Sequence, residues 1–229
     1  MRKLLLTLAL VAGAAPAMAA DLAVKKAPVD YLPTGWSGLY VSGYGLYAAN
    51  LTNTAVTDQT TVADIASAPH GPGLGGSIGY NWQPAGGVVF GVRADVAYAN
   101  LQGSGAVGNI LSVSNATNYL GDIDAIVGMP LTPDGKLLGY TGGGFAFGGA
   151  KPNLQVATLT QATSDTSTGW NVLAGLAYQL TPNWQVFMEG DYFQLGDRSL
   201  TATFNGQPVA TSLTKYHIFE QKLGLTYRF

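Results

Sequence analysis

The sequence predicts an all-β fold, a transmembrane, antiparallel, up-and-down barrel of eight strands. Three observations carry that expectation. Apolar residues alternate with polar or small ones at period two through segment after segment, and no stretch repeats at a helical period. The 229 residues include 31 glycines and 12 tyrosines but only 10% charged residues, where roughly a quarter is usual. The segments between the alternating runs are by turns short and long, as in barrels that cross an outer membrane.

The N-terminus stands apart from this pattern. Arg2 and Lys3 precede an apolar run from Leu4 to Ala15, and Ala17-Met18-Ala19 supplies a small-x-small cleavage pattern. Residues 1–19 therefore read as a signal peptide, because the run is too short to cross about 30 Å of hydrocarbon as a helix. Its removal leaves nine basic and thirteen acidic residues, a net charge of −4. Residues 20–35, with Pro28 and Pro33 and no period, read as a periplasmic linker, and 36–229 as the barrel. No later stretch offers the eighteen apolar residues of a membrane helix, so the exported chain is either soluble or crosses a membrane as strands. The acidic balance argues against nucleic-acid binding. The lack of cysteine removes disulfides and thiolate metal sites.

In chain order, Trp36–Ala48 is a glycine-rich strand whose facing is ambiguous. Gly73–Gln83 sets Leu74, Gly76, Ile78, Tyr80 and Trp82 on one face, with a tight turn at 84–87 after it. The next strand puts Val88, Phe90, Val92, Ala94, Val96 and Tyr98 opposite Arg93 and Asp95. Tyr119–Met129 sets Tyr119, Ile123, Ala125, Val127 and Met129 against Asp122 and Asp124, and turns at 130–135. Lys136–Gly148 is again glycine-rich and ambiguous. Trp170–Leu180 carries an apolar face opposite Asn171, Gly175 and Gln179, and turns at 181–183. Val186, Met188 and Tyr192 oppose Gln185, Glu189 and Asp191. The last strand sets Phe219, Leu223, Leu225, Tyr227 and Phe229 against Glu220, Lys222, Thr226 and Arg228, with Gln221 a blemish on its apolar face. Segments near 49–72, 100–116, 150–167 and 197–214 are rich in Ser, Thr, Asn, Gln and Gly and read as long loops.

Alternation alone does not say which face points outward, and a soluble lipocalin-like barrel would bury the apolar one. Three features favour the membrane. The minor face carries Gly, Ala and Ser as often as charge, which suits a narrow interior. The aromatics Trp82, Tyr98, Tyr119, Trp170, Trp184 and Tyr227 sit near strand ends, where an interfacial girdle belongs. The last strand runs to Phe229 at the end of the sequence.

The strings Trp36-Ser-Gly-Leu-Tyr-Val, Gly79-Tyr-Asn-Trp-Gln, Leu180-Thr-Pro-Asn-Trp and Leu225-Thr-Tyr-Arg-Phe resemble the small outer-membrane surface barrels of alphaproteobacteria, within the opacity-protein and OmpA-like barrel group. The likeness runs from the signal peptide to Phe229 and is least in the loops. It implies residence in a Gram-negative outer membrane, contact with outer-membrane lipids, and recognition by the barrel-assembly machinery through a terminal aromatic, here Phe229 with Tyr227. Relatives often carry inward arginines in a Val-Arg-Gly-Arg pattern on the fourth strand. This chain has Ile123-Asp124-Ala125-Ile126 there, so the resemblance does not extend to an arginine-lined interior.

Inward charge is the main chemical feature. Arg93, Asp95, Asp122, Asp124, Glu189, Asp191, Glu220 and Lys222 fall on the lumen face, six acids to two bases. An unpaired buried charge is costly, so either water reaches these groups or some hold a proton. They could form a narrow cation-favouring passage, or a gate in which Arg93 and Lys222 pair across the barrel. They could equally form a solid polar plug, which the narrow interior of an eight-stranded barrel favours.

No catalytic, cofactor or metal site is expected. Gly75-Gly-Ser-Ile-Gly79 matches a nucleophile pattern but sits mid-strand, without the sharp strand-to-helix turn that pattern needs. Ser212-Leu-Thr-Lys215 lacks companion motifs, and Gly71-Pro-Gly-Leu-Gly-Gly has no following helix to hold a phosphate. His70, expected in a loop, and His217, near the top of the last strand, have no adjacent serine and make a poor metal site. The expected function is a structural and surface-interaction role, with four polar loops outside available to an extracellular ligand such as a host molecule, phage or haem. A small porin or gated channel is the alternative, and a lipid-modifying barrel enzyme a weaker one.

Overall fold

Alternation commits one face of each strand inward, and the backbone then needs a hydrogen-bonding partner on both sides. The computed structural model describes residues 35–51, 54–58, 62–65, 69–85, 87–107, 111–156, 159–162, 165–204 and 207–229; the predicted signal peptide and all of the predicted linker but Gly35 lie outside them. Eight strands pair in sequence: β1 (Gly38–Asn50), β2 (His70–Trp82), β3 (Val89–Val107), β4 (Leu111–Pro130), β5 (Leu137–Val156), β6 (Asp165–Gln179), β7 (Trp184–Phe204) and β8 (Gln207–Arg228). Every pairing is antiparallel, and β8 closes on β1 from Tyr40↔Arg228 to Asn50↔Ile218, so the sheet has no edge in the barrel wall.

Short turns join the strands at the end that carries Gly35 and Phe229. Gly87 (φ +83°) and Gly135 (φ +69°) take the left-handed backbone that those turns require. In the 130–135 turn Thr132 Oγ1 donates to Asp134 Oδ1 at 2.6 Å, and the Lys136 N–H donates to the same oxygen at 3.2 Å. Together, the hydroxyl first, they hold the Asp134 carboxyl below the usual carboxylate range. The turn therefore keeps these bonds through ordinary aspartate titration and loses them only at lower pH. An NMR titration of the Asp134 carboxyl is expected to run below that of an unstructured aspartate, and Thr132→Val is expected to bring it back up.

At the opposite end two of the segments expected as long loops are largely paired strand. β3 and β4 continue from Leu101↔Thr117 to Val107↔Leu111, and β7 and β8 from Arg198↔Thr214 to Phe204↔Gln207. In the other two, Thr54–Asp58 pairs with β8, Val62–Ile65 pairs with Thr54–Asp58, and Leu159–Ala162 pairs with β5. The ladder satisfies the backbone of these serine- and threonine-rich stretches. Register shifts after Tyr98, Thr117 and Leu195 mark where the wall gives way to these hairpins. His70, expected in a loop, instead heads β2 and pairs with Ala49 and Gln102. Ser212–Lys215 likewise lies within β8.

The two ambiguous strands are now oriented. Tyr40, Tyr44, Leu46 and Ala48 of β1 point inward, while Leu39, Val41 and Tyr47 are exposed. In β5, Leu138 and Ala146 are buried and Phe145 is exposed. The predicted first strand began at Trp36, but that residue precedes β1 and is buried. The lumen is filled in three layers. Leu46, Leu101, Leu120, Phe193, Leu195, Tyr216 and Ile218 close the hairpin end, and Trp36, Val89, Leu138 and Phe187 the other. Charged residues occupy the space between.

Candidate functional site

Inward tyrosines fit a narrow barrel only where the facing strand leaves room. Tyr40 and Tyr44 pair directly with Gly79 and Gly75, and Tyr140 with Gly175. A Cβ at any of these glycines would strike the tyrosine ring beside it. This packing brings the Tyr44 hydroxyl to Asp95, to which it donates, and sets its ring 5.1 Å from the Lys222 ammonium.

Around these rings the structure brings together all eight predicted lumen charges except Asp122 into ion pairs. Arg93 donates to Glu189 Oε2 at 2.7 Å and to Asp124 Oδ2 at 3.0 Å. Lys222 lies 2.6 Å from Asp191 Oδ2, 3.4 Å from Asp95 Oδ1, 3.5 Å from Glu189 Oε1 and 3.6 Å from Glu220 Oε1. Glu189 thus takes one cation on each oxygen and joins the two halves. Asp122, opposite Asp95 on the β3–β4 ladder, makes no ion pair among the described residues. None of the eight is more than 6% exposed. Arg93 and Lys222 do not meet across an open path; they are linked through a shared carboxylate.

The layer is shut from the termini end by Trp36, Gln83 and Arg228, none of which alternation marks as a closing residue. Trp36 donates its backbone N–H to Gln83 Oε1 at 2.8 Å and its indole Nε1–H to the Gly135 carbonyl at 2.9 Å. The Arg228 guanidinium donates to the carbonyls of Gly35 and Pro182, and Asn183 Nδ2 donates to the Arg228 carbonyl at 2.8 Å. The N-terminal entry, three turns and the last strand are thereby tied together. In the sequence Trp36 reads only as the first residue of a strand, Trp36–Ala48.

On the outer face, exposed rings fall into two rows. Tyr47, Tyr98, Tyr119 and Trp170 lie toward the hairpins; Trp82, Phe90, Tyr178, Trp184 and Phe229 lie toward the turns, with Tyr227 against Trp184 and Phe229. The pairs Phe90/Tyr98, Trp170/Tyr178, Trp184/Tyr192 and Phe219/Tyr227 are each eight residues apart. Eight residues span about 27 Å along a strand, or about 20 Å along the axis at a tilt of 35–45°, close to the roughly 25 Å apolar band of a membrane barrel. Between the rows Val92, Val96, Ile123, Val172, Met188 and Leu223 are exposed.

The two histidines sit on the hairpin side. His217 Nδ1 is hydrogen-bonded to the Tyr192 hydroxyl at 2.6 Å, and the His70 ring lies 6.4 Å from that of Tyr47. Ser77 is mid-strand, paired with Ser42 and Asp95, with no turn to expose it as a nucleophile. Among the described residues no group of histidines and carboxylates has the arrangement to hold a metal ion.

Comparison with known proteins agrees with this geometry. Residues 5–229 match the family described as outer membrane protein beta-barrel domain. The 31 kDa outer-membrane immunogenic proteins of Brucella melitensis and Brucella suis are each 31% identical to this chain over 235 residues, covering 94% of it and 95% of the relative. Among solved structures, the outer membrane protein OprG of Pseudomonas aeruginosa superposes with a TM-score of 0.60 at 13% identity, covering 86% of this chain and 98% of OprG, and so shares the fold. Exposed apolar wall, closed eight-stranded sheet and relatives agree: the chain belongs to the outer-membrane β-barrel proteins of Gram-negative bacteria.

Proposed function

We propose that this protein is a plugged, non-conducting anchor that holds polar hairpins at the cell surface for contact with an extracellular partner, and that it is not an enzyme. The observation that carries the reading is the burial of all eight lumen charges between two apolar layers. Side chains that lined a water-filled channel would be wetted; these are buried, and seven of the eight are joined in ion pairs. The two aromatic rows serve as the interfacial girdles, with the short turns in the periplasm and the hairpins outside. Phe229 with Tyr227 serves as the signal for the barrel-assembly machinery. Surface display fits the Brucella relatives, which are named as immunogenic.

An epitope inserted between Val107 and Leu111 is expected to bind antibody on intact cells. The same epitope between Pro133 and Asp134 is expected to bind only after permeabilisation. The reverse pattern would turn the barrel over and remove the surface role.

A second reading, a small channel, draws on the excess of six acids over two bases in the lumen. The enzymatic reading has less support, because His217 is engaged by a tyrosine rather than a serine. His217→Ala is therefore expected to leave the lipid composition of the outer membrane unchanged by mass spectrometry, and loss of a lipid species would revive a catalytic role.

A further inference from the structure

Beneath the charge layer lies a small cavity with about 50 Å³ of room for water, bounded by Trp36, Tyr40, Asn81, Arg93, Tyr140 and Ala177 among others. It differs from the apolar packing at the hairpin end in being lined in part by polar and charged residues. Arg93 uses Nη1 and Nη2 on Glu189 and Asp124, but its Nε–H has no protein partner, and neither has Asn81 Oδ1; both atoms are buried. Ser42 Oγ and Thr226 Oγ1, which also line the cavity, are 2.8 Å apart and keep lone pairs to spare. A buried water needs roughly 10–15 Å³ and two to four polar partners, so the space suits about three or four. On the termini side the cavity is bounded by Trp36, which is 1% exposed and fastened to Gln83 and Gly135, outside any strand.

We propose that this cavity is a built water site, holding a small cluster that bridges Arg93 Nε and Asn81 Oδ1, and that Trp36 is its stopper. The waters complete the hydrogen bonding of the one arginine in the charge layer, which its two carboxylates leave unfinished. The stopper sits on the chain entering β1 rather than in the wall, so it can leave without opening the barrel. The cluster lies at the opposite end from the hairpins and stands whether or not they bind a partner.

The chain has no cysteine, so Ala177→Cys places a single reporter thiol in the cavity wall. In the refolded protein with Trp36 present, a small charged thiosulfonate is expected to label it slowly. With Trp36→Ala added, labelling is expected at least about tenfold faster, because the thiol no longer waits for a local opening. Trp36→Phe, which keeps a ring in place, is expected to stay near the parent rate, and serves if the alanine variant does not fold. Heat-modifiable migration on gels confirms that each barrel is formed. Equal rates with and without the ring would overturn the stopper. Magnetisation transfer from water to the Arg93 Nε–H tests the cluster directly: a cross-peak is expected in the parent protein and is expected to vanish in Asn81→Leu. A folded parent without that cross-peak has a dry cavity, which contradicts the proposal.

Discussion

Replacing Arg93 with leucine is expected to destabilise the folded barrel by about 3–5 kcal/mol, the usual consequence of removing one partner from a buried ion pair. The magnitude follows from what the change leaves behind. Of its two cations Glu189 keeps Lys222 alone, at 3.5 Å, and Asp124 loses its ion-pair partner, both inside a lumen with an apolar layer at each end. Lysine at the same position supplies charge but not the fork that reaches both carboxylates, so Arg93→Lys is expected to recover part of the loss. Urea unfolding in lipid vesicles, followed by tryptophan fluorescence, reads both variants. A change below about 1 kcal/mol would mean that water screens the network as it does surface pairs, and the plug would be wrong.

The second large effect belongs to the other face of the same strand. Ala94 is exposed on the outer wall, four residues from each of Phe90 and Tyr98 and so midway between the aromatic rows. Ala94→Arg is expected to cost about 2–4 kcal/mol, as for a basic residue at the bilayer midplane. Ala94→Leu is expected to be near neutral. The adjacent Asp95 is tolerated because its side chain points the other way, to Tyr44 and Lys222. A barrel with its apolar face inward would show the opposite ordering, with arginine harmless at position 94.

Much of this was legible in the sequence because period two carries facing as well as strand identity. Arg93, Glu189 and Lys222 lie opposite Val92, Met188 and Leu223 by alternation alone, and the structure has them inward. Facing is not legible for β1, where tyrosine occurs on both faces, or for β5, where glycine does. There the decision lies in cross-strand partners such as Tyr40 with Gly79, which no single segment reveals. In sequence the hairpin ends look like loops because Ser112, Ser114, Thr201 and Thr203 carry no apolar rhythm; their order comes from the ladder, a property of two segments at once. By alternation Trp36 belongs to the first strand, because an aromatic before an alternating run looks like its first residue. Its true role depends on Gln83 and on Gly135, ninety-nine residues away in sequence.

The sealed lumen is tested most directly by single-channel recording of residues 20–229 refolded into a planar bilayer, with folding established beforehand by gel migration. Silence is expected from folded protein, because all eight charges are buried between the two apolar layers and seven of them are held in ion pairs. Steady cation-selective steps that change with Asp124→Asn would contradict it, and would make the acidic layer a selectivity filter instead of a plug.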